Sequence, residues 1–218
     1  MQFSDLQATV SYWLDDLAFG YFTQTQVKIW LNNAQKRLQK RLVKTGNQQY
    51  QKVVQTTLVV NQPDYVLPLD FKALDRLEVV TGGAPPNEAR YPVSPITLNQ
   101  QDLVLTGTGS PRWYSFKRNR LVLYPAPDTA YTLRLYYTYE VSDMVNDNDV
   151  PDAPESYHEY MALLAAEDGF LKDQRGSEIL AKKMAEYEHE LDADANSRNR
   201  DTPRTIRETG NSDSGSYF

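Results

Sequence analysis

The chain has 218 residues, 40% of them hydrophobic, with no cysteine and a formal net charge of −6. This length and composition predict one compact body with a possible subdomain. No apolar run reaches the ~20 residues that a membrane helix needs, and the start of the chain lacks the features of a signal peptide. The lack of cysteine excludes disulfides and fits a reducing cytoplasm, while the acidic balance argues against wholesale coating of nucleic acid. The fifteen tyrosines favour half-exposed surfaces such as protein interfaces.

Residues 1–47 predict two helices. For the first helix, Ser4 with Gln7 forms a capping box and Gly20 ends the helix. Its apolar residues recur at helical spacing: Leu6, Val10, Trp13, Leu14 and Leu17.

The second helix repeats this pattern more clearly. Thr23 with Gln26 forms its capping box, and Gly46 lies at a plausible position just after its end. The apolar stripe consists of Val27, Trp30, Leu31, Ala34, Leu38 and Leu42.

Residues 48–142 predict an inserted β module. Apolar segments become short and β-branched here, and nine of the twelve prolines lie between positions 63 and 127. Residues 112–116 and 121–124 predict a hairpin, and residues 131–139 alternate long enough to form its next strand. A short helix is expected to begin at Ser94-Pro95. The module is therefore a small antiparallel sandwich or barrel.

Residues 143–195 predict two further helices after an acidic loop. Pro154 suits the first turn of one helix, which ends near Lys172, and Gly176-Ser177 opens the last helix. The predicted fold class is α+β, with a helical bundle from both termini, the β module inserted between them and an extended polar tail over residues 196–218.

Motifs for chemistry are weak throughout. His189 lacks the second histidine that a zinc-protease helix requires, and His158 is interpreted as an ordinary helix residue. The loop Asn146 to Asp149 lacks the glycine and final glutamate of an EF-hand, which favours a turn over a calcium site. Carboxylate pairs one helical turn apart are commoner as acidic faces than as acid–base pairs. We therefore predict no enzyme, no metal and no cofactor.

Two charged surfaces remain. The second helix carries a basic band, and the last helix carries an acidic run that includes Glu188, Asp192 and Asp194. A solvated face is one interpretation of the band, and contact with nucleic acid or with an acidic partner is another. Our hypothesis is that the two surfaces meet between identical subunits or line a lumen, through Lys36, Arg37, Lys40, Arg41, Lys44, Glu186 and Glu190.

The tail combines arginines with terminal aromatics. Such a segment can fold onto a partner, since arginine donates bidentate hydrogen bonds and aromatics anchor interfaces. The alternative is a plain disordered terminus. The candidate binding residues are Arg198, Arg200, Arg204, Ile206, Arg207, Tyr217 and Phe218.

Five segments, taken in order over about residues 5–195, resemble the head-to-tail connector adaptors of tailed bacteriophages, of the podophage type. Those proteins have a β module inserted in a helical bundle. The segments are VKIWLNNAQ at 27–35, DYVLPLDF at 64–71, GSPRWY at 109–114, LVLYPAPD at 121–128 and the stretch from Val150-Pro151 to Tyr157.

The resemblance implies a virion structural protein in the neck, made in the host cytoplasm. It implies a ring of identical subunits, twelve in number, bound beneath the portal protein and joined to tail or nozzle proteins, with no membrane partner. Genomic DNA would pass through the lumen without sequence recognition, and the C-terminal extension would dock on the portal.

The alternative is a β-sandwich binding module whose Trp113, Tyr114 and Tyr137 line a surface for carbohydrate or peptide. An enzyme that uses carboxylates of the β module comes third.

Overall fold

A computed structural model describes residues 1–46, 48–83, 87–97, 107–174 and 176–198. At residues 195–198 it describes the backbone and not the side chains. The predicted α+β architecture is confirmed: helices precede and follow a central β region. The helices are α1 (Phe3–Trp13), α2 (Gln24–Lys44), α3 (His158–Lys172) and α4 (Glu178–Arg198), with single 3-10 turns at Gln48–Tyr50 and Glu155–Tyr157.

The four helices pack into one helical body around α3. This helix buries most of its surface, because alanines on it allow its neighbours to approach closely. At Gly169 an added Cβ would lie 2.6 Å from Leu14 Cδ2 and 3.3 Å from Trp30 Cζ3. The end of α1 and the middle of α2 therefore meet α3 at a position where an added methyl group would require Leu14 to move.

The second helix begins as predicted. The Thr23 hydroxyl accepts a hydrogen bond from the Gln26 amide at 3.3 Å, and the Gln26 side chain accepts one from the Thr23 amide at 3.2 Å. Gly46 follows the helix with φ of 78°, a conformation that glycine adopts without strain. The capping box and the closing glycine of α2 are both confirmed.

The first helix differs from its prediction at both ends. Its capping residue is Gln2, whose amide donates to the Asp5 carboxylate at 2.8 Å, so the capping box at Ser4 and Gln7 is wrong. The helix ends at Trp13, and Leu17 is an exposed loop residue outside the core.

The loop between α1 and α2 is closed by one carboxylate. Asp16 accepts hydrogen bonds from the amides of Gly20, Tyr21 and Phe22 at 2.8, 3.0 and 2.7 Å. The bond from Phe22 contributes most to lowering the pKa of Asp16. These bonds fold the chain into a turn where apolar periodicity predicts a helix up to Gly20.

The described part of the β module contains ten strands. They are β1 (Gln51–Thr57), β2 (Asp64–Val66), β3 (Phe71–Gly82), β4 (Ala89–Pro92), β5 (Ser94–Pro95), β6 (Thr108–Gly109), β7 (Trp113–Lys117), β8 (Arg120–Tyr124), β9 (Ala126–Pro127) and β10 (Thr132–Tyr139). Two sheets, β1-β10-β3-β4 and β2-β8-β7-β5, share one apolar core and form a sandwich. A short parallel pair, β6 with β9, stands beside them.

The hairpin of β7 and β8 is confirmed, but two details of the prediction are wrong. β10 pairs with β1 and β3 in the opposite sheet, and the chain between β8 and β10 forms β9 of the separate parallel pair. Ser94-Pro95 forms β5, parallel to β7, where the amide of Ile96 and the carbonyl of Tyr114 are 2.8 Å apart. A partner strand thus overrides the local preference for a helix start.

Candidate assembly surfaces

Most of the predicted basic band is bound within the chain. Lys36 pairs with Asp143 at 2.7 Å, and Arg37 pairs with Asp168 at 2.9 Å and Glu167 at 3.3 Å. Arg41 also has a partner within the chain, so three of the five basic residues of the band form internal ion pairs.

Arg41 reaches the acidic helix of its own chain. Its guanidinium lies 2.6 Å from the Glu188 carboxylate and also hydrogen-bonds the Tyr160 hydroxyl. The bond to Glu188 raises the pKa of Arg41, and burial raises the pKa of Tyr160 to about 12. The two predicted surfaces thus touch inside one chain, and their meeting between subunits stays a prediction.

Other charges of these helices remain at the surface. Lys40 and Lys44 are exposed on α2, and neither forms an ion pair with any described residue. Glu186 and Glu190 are likewise exposed on α4. These four side chains keep their charge available for a neighbour.

Three buried or half-buried amides on α2 hold the segment that leads from β10 to α3. The Gln35 amide donates to the Ser142 carbonyl at 2.8 Å and accepts from the Asp152 amide at 3.2 Å. Asn32 both donates to the Met144 carbonyl at 3.1 Å and accepts from the Met144 amide at 2.8 Å. The third amide, on Gln39, donates to the Tyr139 carbonyl.

These three amides are not among the site residues predicted from the sequence. Their signal is the spacing of 32, 35 and 39, which puts them on one helix face next to the apolar stripe. Because they satisfy the backbone of an irregular segment, they fix where the β module leaves the helical body.

The acidic loop caps the first helix. The Asp149 carboxylate accepts from the amides of Val145 and Asn146 at 2.7 and 2.8 Å, and the bond from Val145 contributes most to lowering the pKa of Asp149. Asp147 pairs with Lys28 at 2.9 Å. Within the described ranges, no cluster of three potential metal ligands occurs. The loop is thus a turn whose acidic groups have protein partners.

His158 is buried at the start of α3. Its ring nitrogens lie 3.0 Å from the Met1 amine and 3.1 Å from the Ala153 carbonyl. Burial is the main cause that lowers the pKa of His158. These contacts give it a role in joining the chain start to α3.

The predicted aromatic surface of the β module is only partly exposed. Trp113 is 38% exposed, whereas Tyr114 is half-buried against Phe116. Tyr137 is 2% exposed, so its assignment to the surface is wrong. It lies on central strand β10, faces the sandwich core and donates to Asp70 at 2.8 Å.

One side of the sandwich is open. β1 and β2 are edge strands, and a groove of about 530 Å³ lies between them. Val54, Leu67, Leu121, Leu133 and Leu135 contribute apolar side chains to its walls.

Helix α4 continues to Arg198, slightly beyond the predicted boundary at 195. The side chain of Arg198 and the other predicted tail residues lie outside the described residues. Within the part of the chain that the structure describes, none of the helices has the length and apolar character required to span a bilayer.

The described residues thus form a helical body that carries a β module, with exposed charges on α2 and α4. The family model of the SU10 adaptor protein matches residues 1–209. The chain therefore belongs to this family of phage head–tail adaptors, and the role of an adaptor is structural: it connects head and tail proteins. A comparison with curated proteins gave no match.

Proposed function

We propose that this adaptor forms a closed ring of identical subunits in the virion neck, beneath the portal protein. By the resemblance above the ring has twelve copies, its lumen passes the genomic DNA, and its far side meets tail or nozzle proteins. The family match over residues 1–209 carries this proposal.

The charges left exposed on α2 and α4 support contacts between subunits. A ring needs two different, complementary patches on each copy, because each contact is heterologous. Lys40 and Lys44 supply the positive patch, and Glu186 and Glu190 supply the negative patch. The ion pair between Arg41 and Glu188 is an example of the same chemistry inside one chain.

The C-terminal residues 196–218 are proposed to bind the portal. The last described side-chain contact of α4 is the hydrogen bond from Tyr157 to Asp194, at 2.6 Å. Residues 199–218 then follow, and a chain of this length spans roughly 65 Å when extended. That reach is sufficient for contact with a protein above the ring.

Deletion of residues 199–218 tests the portal contact and leaves α4 intact. The truncated protein should unfold at the temperature of the full chain but fail to co-sediment with purified portal protein. Native mass spectrometry of the full chain with portal should give a closed ring of twelve copies. Undiminished co-sedimentation of the truncated protein would reject the tail's role, and an open or absent ring would reject the ring.

A further inference from the structure

Strand β1 has a free outer edge. It lies at the end of its sheet and pairs with β10 over seven consecutive residues without a bulge. All seven are exposed, and Val53 and Val54 expose 51% and 39% of their surface. The sequence of the strand, QKVVQTT, is rich in β-branched residues and contains no proline or glycine.

The single charge on β1 is neutralised. The Lys52 ammonium lies 2.7 Å from the Asp70 carboxylate and 4.0 Å from the centre of the Tyr139 ring. Proteins usually protect an edge strand with free charges, prolines, bulges or short length. β1 has none of these features.

The register shows which backbone groups point outward. The Leu58 amide donates to the Tyr131 carbonyl at 2.8 Å, and hydrogen-bonded pairs alternate along an antiparallel ladder. By this alternation Val53, Gln55 and Thr57 direct their N–H and C=O groups away from β10. They form a row of free donors and acceptors at the spacing of a strand.

The other sheet edges that the structure describes are protected. β4 has four residues, including Arg90 and Pro92. β2 has only three residues, too few to pair with a long segment. β5 consists of two residues, one of them proline. Among the described terminal strands of the two four-stranded sheets, β1 alone is long and unprotected.

We propose that β1 accepts an extended segment of a tail-side virion protein as a fifth strand of its sheet. Alternate side chains of this segment would be apolar and enter the groove beside Val54 and Leu135. The segment would be uncharged, because the charges that line the groove, Asp64 and Arg120, pair with each other, and Lys52 of β1 pairs with Asp70. The inference rests on the proposed adaptor function for the source of the partner.

A second copy of this chain fits the edge less well. If a second copy paired through one of its described terminal strands, β1 is the strand long enough to serve. Pairing of β1 with β1 is a two-fold contact, which closes after two copies and cannot repeat around a ring. A different polypeptide has no such restriction.

Val53→Pro tests the proposal in virions assembled with the variant adaptor. Proline removes an outward N–H while the ladder to β10 keeps its own bonds. The matched control is Val60→Pro, at the second position of a turn closed by the Gln62 amide and the Val59 carbonyl at 3.1 Å, where proline is favoured. Val53→Lys is a second variant, which keeps the donor but adds a charge to the edge.

Both Val53 variants should give filled heads that carry the adaptor but about tenfold fewer attached tails. Val53→Pro loses one strand hydrogen bond, which weakens binding by about that factor, and Val53→Lys places an unpaired charge at the edge beside an uncharged segment. The control should match the natural protein in electron micrographs. Normal tail attachment by both Val53 variants would overturn the proposal. Absence of the natural protein from the virion neck would instead reject the proposed adaptor ring.

A photo-crosslinking benzophenone side chain in place of Gln55 identifies the occupant. Irradiated virions should yield a cross-link to a different polypeptide, within an uncharged stretch of about five to seven residues. Val53→Pro should reduce the yield, and Val60→Pro should not. A cross-link to a second copy of this chain, or to a charged stretch, would overturn the assignment of the partner.

Discussion

At the residue scale, the amides of α2 show how single side chains position a whole module. Gln35 is 1% exposed and serves two backbone groups of the connecting segment, the Ser142 carbonyl and the Asp152 amide. A buried backbone group without a partner costs more than its hydrogen bond contributes when formed. Replacement of such an amide by an apolar residue of similar size therefore removes two hydrogen bonds and adds little stabilising apolar contact.

We expect Gln35→Leu to lower the free energy of unfolding by about 1 kcal/mol, because two backbone groups at a part-buried site lose their partner. Urea unfolding followed by circular dichroism measures this. Asn33→Leu, on the exposed side of the same helix, is the matched control and should change stability little. Equal stability of the two variants would contradict the role of Gln35.

At the element scale, the packing of α3 depends on its small residues. Gly169 lies where α1 and α2 both touch α3, and Leu14, the nearest neighbour, is 3% exposed. A buried side chain between helices has little freedom to move away from an added methyl group. The close approach of the three helices thus favours glycine here, even though glycine weakens a helix.

Gly169→Ala should destabilise the protein. Overpacking costs about 1–3 kcal/mol, and the better helix propensity of alanine offsets only about 1 kcal/mol. Thermal unfolding should show a lower midpoint, and adding Leu14→Ala to make room should reduce the effect of the glycine substitution. Gly176→Ala is the control, since no atom lies within 4 Å of its added Cβ. A Gly169 variant as stable as this control would show that the helices can separate without cost.

At the scale of the whole molecule, ring formation would use charges that the fold leaves free. Arg37 and Arg41 are poor test positions, because they hold ion pairs inside the chain. Lys40 and Lys44 are better ones, since they are exposed and have no ion pair with described residues. Exposed pairs contribute little each, but a ring repeats them at every interface.

Lys40→Glu with Lys44→Glu should weaken assembly by about 1 kcal/mol per interface, and added salt should reduce the difference from the natural protein because it screens exposed charges. Light scattering of the protein with portal measures this. Lys182→Glu, an exposed lysine on α4, is the single-site control. Assembly that is unchanged in the double variant at low salt would reject the predicted interface.

Local sequence alone predicted the succession of helices, β region and helices, the capping box of α2 and the β7–β8 hairpin. These follow from local periodicity and short-range hydrogen bonds, which need no distant partner. The ordered motifs also led to the adaptor family, because they lie along the chain in a fixed sequence.

Only the tertiary structure decided the features that depend on distant residues. Apolar periodicity extends past Trp13, but the carboxylate of Asp16 turns the chain there. Tyr137 has an amphipathic side chain that suits a surface or a core equally, and its place on a central strand buried it. Arg41 found its acidic partner in the same chain because α2 and α4 both pack against α3. Such outcomes are set by which elements meet in space, and local sequence does not encode that.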